Sequence, residues 1–297
     1  MLGLSGYEIS LITSMGIAVI FALSLNFITG FCGQISLGHA AFYGIGAYTS
    51  AMLTKAGMPL GVGIMGAVIL AGMAGIVVGF TSLRVRHDFL AITTMGVGFL
   101  FLGIMRQWDF VGGEMGVSGI PGSDLGKSGF MLLVLGFVIL TALFSLHLKR
   151  SWMGYSFDAI ADDEDTAKVI GLDVSRYKLA AFAIGTALAG LAGALYAHNV
   201  RFIDPESFGF VESITVLAMV VIGGIGSVFG VIFAAAVLSV LPLWIQFIDE
   251  YKLLLYGGLL FVMMRFSPGG IAGLMKQIMS LKASKNNSLN APGGVDQ

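Results

Sequence analysis

Charges are spaced in this chain as they are in proteins that cross a bilayer many times. From Ile9 to Thr54 there are 46 consecutive residues without Asp, Glu, Lys or Arg. A span needs about 20 apolar residues, so this stretch holds two passes, with the turn near Gly30–Gln34. Further uncharged runs follow: 28 residues at 56–83, 17 at 89–105, 21 at 128–148 and 22 at 179–200. The 36 at 213–248 hold two more passes hinged at Gly223–Ser227, and the 12 at 253–264 make a last, short one. About nine passes result, which predicts an all-α, polytopic integral membrane helix bundle of about 8–10 transmembrane helices. Only 11% of the 297 residues are charged, against about 25% in a soluble domain, too few to cover a water-facing surface. A net charge of -1 excludes a nucleic-acid binder built on a basic surface, and a single Cys excludes a disulfide framework.

Basic residues set the expected orientation. With the polar loop 149–178 placed in the cytoplasm, 11 of the 16 Lys and Arg fall inside, and Lys55, Arg106, Lys127, Arg201 and Lys252 fall outside. The N-terminus then lies outside and the C-terminus inside. Met1–Ser10 carries no basic residue, so the first span does not read as a cleaved signal peptide. Residues 1–275 form the predicted transmembrane domain, and 276–297 a cytoplasmic tail without apolar periodicity, expected to be disordered.

Glycine, at 43 residues, is about twice as frequent as usual. Two spans repeat a small residue every fourth position: Gly63, Ala67, Ala71, Gly75, Gly79, and Ala181, Gly185, Ala189, Gly193, Ala197. Such ridges let helices approach closely. Packing within the subunit and contact between subunits are both open readings.

The loop from Lys149 to Lys178 concentrates 11 of the 33 formal charges. Its centre reads as one short amphipathic helix. Asp158 falls in its first turn, where the dipole favours an acid, and Asp158, Asp162 and Asp165 fall on one face. Gly171 follows as a C′ residue, and Asp173 or Ser175 caps the next span. Either this is a solvated loop or it docks a soluble partner.

Within the first spans, Asn26, Gln34, Ser36, His39 and Tyr43 are polar positions among glycines and are candidates for a translocation pathway. An ionisable group inside a membrane is a functional hypothesis by default. For His39 the readings are a neutral, hydrogen-bonded histidine, a pathway lining or a proton relay, the last lacking any acidic companion within a span. Gln34 and Ser36 read equally as gate residues or backbone caps. Pro242 inside a span predicts a kink. The nearest approach to a phosphate-binding loop, Pro121–Ser128, has Pro where the first Gly belongs and follows no strand. His87-Asp88 beside Arg84 and Arg86 reads as a basic flank. Neither a metal-ligand pattern nor a hydrolase motif is present, so no catalytic, metal or cofactor site is expected in this chain.

Four stretches carry a resemblance: Gly30–Leu53, Gly154–Ala197, Asp204–Gly230 and Phe266–Leu274. They are similar to the signature segments of the branched-chain amino acid permease family of ABC importers, LivM type, over nearly the whole chain up to about Met275. The resemblance implies a permease subunit that hydrolyses no ATP itself. It works with two ABC ATPase subunits, a second related permease and a periplasmic substrate-binding protein, within bacterial inner-membrane lipid and without nucleic acid. Asp158, Asp162, Glu164, Asp165, Ala167 and Gly171 are then the ATPase-coupling positions. Asp165 stands where the generic loop motif has Glu, and Glu114-Met115 where the family usually has Ser-Asp. The implied substrate is leucine, isoleucine or valine, with urea or short amides as alternatives. Ion-coupled secondary transport and a membrane enzyme are the readings from other classes.

Overall fold

A computed structural model describes residues 5–82, 88–123, 125–244, 252–266 and 269–273. The predicted tail at 276–297, the Arg84-Arg86-His87 flank and Asp124 lie outside the described residues. The chain is an all-α bundle. Helix α1 (Gly6–Leu25) opens with a capping box at Ser5 and Glu8 and continues through a π-helical turn, Asn26–Phe31. Next come α2 (His39–Lys55), α3 (Leu60–Ser82), α4 (Asp88–Gln107) and α5 (Gly126–Lys149). Two short helices, α6 (Trp152–Asp162) and α7 (Glu164–Val169), precede α8 (Val174–Val200). The last are α9 (Phe210–Gly223), α10 (Val228–Trp244) and α11 (Lys252–Phe266). Among the described residues six helical segments are long and apolar enough to cross a membrane, and α10 and α11 are shorter apolar helices. Together they make a multi-pass membrane protein. Helix α10 continues through Pro242 to Trp244.

Helix α8 is the central post, packed against α1, α2 and α3. Its small residues permit this. A Cβ on Gly193 would overlap the Tyr43 carbonyl of α2, one on Gly185 would meet Ile28 and the Ser24 carbonyl, and one on Gly190 would press on Ala67 and Ala71 of α3. On α3, Gly75 abuts Thr186 of α8. Among the described residues, then, both small-residue ridges are used inside the subunit, because the core of a membrane bundle is held by close van der Waals fit.

The two ends of the bundle are distinct. One carries α6, α7 and Lys149, Arg150, Lys168, Arg176 and Lys178. At the other, Lys55 donates to the Ser118 carbonyl at 3.1 Å, Arg106 pairs with Glu206, and a two-stranded ribbon joins β1 (Val117–Ser118) to β2 (Phe202–Ile203). Of the basic residues expected on opposite sides, these described ones sit at opposite ends.

Candidate coupling loop and intramembrane polar cluster

The loop is built of two helices, not one. Helix α6 starts at Trp152, directly after α5, so Asp158 lies in its middle rather than its first turn. Gly154 makes the tight turn possible: a Cβ there would overlap the carbonyls of Leu148 and Lys149. Gly154, Ser156, Phe157 and Ile160 form the buried face, while Trp152, Tyr155, Asp158 and Asp162 are exposed. Asp163 then adopts extended backbone (φ -159, ψ 111) and ends the helix. Asp165 therefore belongs to a second helix and does not share a face with Asp158 and Asp162. The break arises because Asp163 turns its carboxylate onto the backbone N–H groups of Asp165 and Thr166, both at 2.9 Å, as an N-cap.

Those hydrogen bonds hold the Asp163 carboxyl below the usual carboxylate range. A depressed carboxylate contributes stability above its unfolded-state value, and the contribution is lost as pH falls through the folded-state value. Hydrogen exchange of the Asp165 and Thr166 amides is therefore expected to accelerate in Asp163→Ala at pH 7, with the parent chain approaching the variant in acid. Equal protection in both at pH 7 would remove the cap. Asp158 shifts the other way, raised first by partial burial, with Lys149 lowering it and Asp162 raising it.

Helix α7 is pinned from beneath. Glu164 points inward and forms an ion pair with Lys178 of α8, with only 13% and 9% of the two side chains exposed. Ala167 is buried, whereas Val169 (86% exposed) and Ile170 (66%) stand in solvent beside Asp165. Gly171 has φ +88, and nothing lies near the position of a Cβ, as the C′ position requires. Asp173 caps α8 through the Arg176 amide at 3.2 Å. Glu164 and Ala167 thus hold the loop to the bundle, while Asp158, Asp162, Asp165 and Gly171 face outward.

The same end contains the first polar cluster. Gln34 donates from Nε2 to the Lys178 carbonyl at 3.1 Å, and its backbone carbonyl accepts from Thr29 Oγ1 at 2.9 Å. Gly33 lies against Ala161 of α6. Asn26, at the start of the π turn, accepts the Gly226 amide at 3.0 Å, and Lys149 donates to the Gly226 carbonyl. A continuous set of contacts therefore links the loop, the π turn and the α9–α10 turn.

Deeper in the bundle lies the start of α2, at His39. His39 places Nε2 2.8 Å from Ser24 Oγ and stacks on Phe21. Ser24 lies seven residues before the end of the π turn, which puts α2's start about 10 Å inside the bundle. The amide of Leu37 donates to Thr94 Oγ1 of α4, and that of Ala40 to Ser213 Oγ of α9, each at 3.0 Å. Side chains of two other helices thus serve one amide in the first turn of α2, which has no intrahelical acceptor, and one in the segment just before it. Ser36 Oγ and His39 Nδ1 are buried and unbonded. Tyr43 stacks on Phe21 at 4.3 Å and meets Tyr196 and Phe208. A cavity of about 10 Å³, lined by Leu37, Gly98, Phe208 and Ser213 among others, adjoins this point and is about large enough for one water.

Lys178, Thr94, Ser213 and Asp163 are the residues that sequence reasoning missed. Lys178 carried a signal: a lysine entering an apolar span calls for a partner. Thr94 and Ser213 carried none, since capping across helices leaves no local pattern.

The family model for "Branched-chain amino acid transport system / permease component" matches residues 8–264. The chain belongs to this family. It is 35% identical to the high-affinity branched-chain amino acid transport system permease protein LivM of Salmonella typhimurium, over 94% of this chain and 73% of that one. Identity to LivM of Escherichia coli strain K12 is 35%, over 90% of this chain and 70% of that one. LivH of Salmonella typhimurium is 27% identical, over 86% of this chain and 90% of that one. Among the described residues of this family member, no group of three or more His, Cys, Asp or Glu is arranged to hold a metal ion.

Proposed function

We propose that this permease is the membrane-spanning subunit of an ATP-driven importer in a bacterial inner membrane, translocating leucine, isoleucine or valine. Separate ATPase subunits dock on the α6–α7 loop, and a periplasmic binding protein delivers substrate at the opposite end, placing the N-terminus in the periplasm and the C-terminus in the cytoplasm. The observation that carries the reading is the loop's two-sided construction. Apolar side chains and carboxylates face outward together, while Glu164 anchors the loop to Lys178 and through it to Gln34. A movement imposed on α7 is thereby delivered to the base of α1 and to the segment leading into α2. The substrate class follows from the relatives' names, which describe branched-chain amino acid transport. One organism, Salmonella typhimurium, holds both a LivM and a LivH similar to this chain, which supports pairing with a second, related permease.

In this reading the path runs past the starts of α2 and α9, which meet at the Ala40–Ser213 hydrogen bond and where Ser36 and His39 keep unbonded buried atoms. Asn26 and Gln34 act as ties between helices, and Tyr43 shapes the wall. The test is uptake of radiolabelled leucine by liposomes holding the permease pair, its ATPases and the binding protein. Uptake that requires both ATP and the binding protein is expected. Accumulation by the permease alone under an ion gradient would overturn the assignment. For docking, Val169→Lys together with Ile170→Lys, both at exposed positions, is expected to release the ATPases during purification while the permease stays folded. Retained ATPases would remove α7 from the interface.

A further inference from the structure

The end of the bundle opposite the α6–α7 loop holds two recesses that meet at one turn. The first is a polar cleft of about 250 Å³, lined by Ser10, Thr13, Ser123, Lys127, Asn199 and Arg201. The second is an apolar groove of about 970 Å³ between α3 and α5, lined by Ile64, Val68, Leu133, Phe137, Leu140 and Phe144 among others. Ser123 lines both. The groove reaches along α5 from just before its start to Phe144, about 28 Å at 1.5 Å per residue, nearly the thickness of a bilayer's hydrocarbon core, so one acyl chain fills the half nearest the cleft.

The charges in the cleft are held ready. Arg201 ends α8 in the left-handed conformation, φ 61, the one described non-glycine residue with positive φ. Its amide donates to the Ala197 carbonyl at 2.9 Å, and its carbonyl accepts from Ile120 at 3.4 Å. Gly122 leaves room for the guanidinium, which a Cβ there would overlap. Lys127 is exposed in the first turn of α5. Among the described residues neither cation has a carboxylate partner. Two basic groups at a membrane surface above an apolar trough complement a lipid phosphate and its tail.

We propose that the cleft and groove together bind one anionic phospholipid of the bilayer, its phosphate against Lys127 and Arg201 and one acyl chain between α3 and α5. The assignment stands on the bundle's own geometry and is independent of what is transported. It is tested by native mass spectrometry of the purified full chain with phosphatidylglycerol or phosphatidylcholine of identical chains. Phosphatidylglycerol is expected to bind on the order of tenfold more tightly. Lys127→Gln with Arg201→Asn is expected to abolish that preference, Asn being a residue that tolerates positive φ. Met65→Trp, which fills the half of the groove nearest the cleft from an exposed position, is expected to weaken both lipids. Should the double variant misfold, Lys127→Gln alone carries the charge test, with a reduced preference expected and an unchanged one counting against the site. Equal retention of the two lipids by the parent chain would overturn the proposal. So would efficient cross-linking of Ile69→Cys chains to one another in membranes, since a second copy would then cover the groove.

Discussion

Lys178→Met is expected to be among the most damaging single substitutions in the chain. It removes the lysine that pairs with the Glu164 carboxylate under α7, where only 13% of that side chain is exposed. Removing one partner of a buried pair costs about 3–5 kcal/mol, whereas replacing both by apolar groups of similar size is often neutral. The single variant should therefore lose hydrogen-exchange protection across α7 and the first turn of α8 and unfold more readily in detergent. Glu164→Leu combined with Lys178→Met should recover most of that loss. A single variant as stable as the parent would show that the pair does not anchor the loop. A double variant as unstable as the single one would show that packing around Lys178, rather than its charge, carries the effect.

Gly193→Val is expected to prevent α2 from seating on α8. The added atoms would fall on the Tyr43 carbonyl and within 2.9 Å of the Ala47 amide nitrogen, and backbone cannot give way as a side-chain tip can. Overpacking costs about 1–3 kcal/mol and more where nothing relaxes; here the upper end applies. Size-exclusion profiles and unfolding in detergent are the measurements, with Gly136→Val as the control, because nothing lies within 4 Å of its Cβ position. If the two variants behaved alike, close α2–α8 contact would not be what the glycines of this bundle serve.

The ridge containing Gly193 was legible in the sequence, since a four-residue period of small side chains survives any packing arrangement. Which helix it met was not. The ridge on α8 faces α1 and α2, while Gly190, outside that ridge, meets α3. The loop shows the same division. Its charge density located it, and Gly171 and Asp173 marked its end through local chemistry that a sequence displays. The break at Asp163 went unread because the pattern Asp162-Asp163-Glu164-Asp165 continues a helical face as well as it caps a new helix. Only the burial of Phe157 and Ile160 on one side and of Glu164 on the other requires the chain to turn there.

The sequence by itself determined the spans, the separation of basic residues between two ends and the position of the solvent-facing loop. Each follows from the cost of moving a charge into hydrocarbon, which a residue incurs wherever its neighbours lie. The tertiary structure alone decided that Glu164 turns inward to Lys178, that Gln34 reports to α8 across 144 residues of sequence, and that α2 begins inside the bundle. Those outcomes depend on backbone groups that can be satisfied only by helices remote in the chain, and a buried polar group must find such a partner or bear the cost of lacking one.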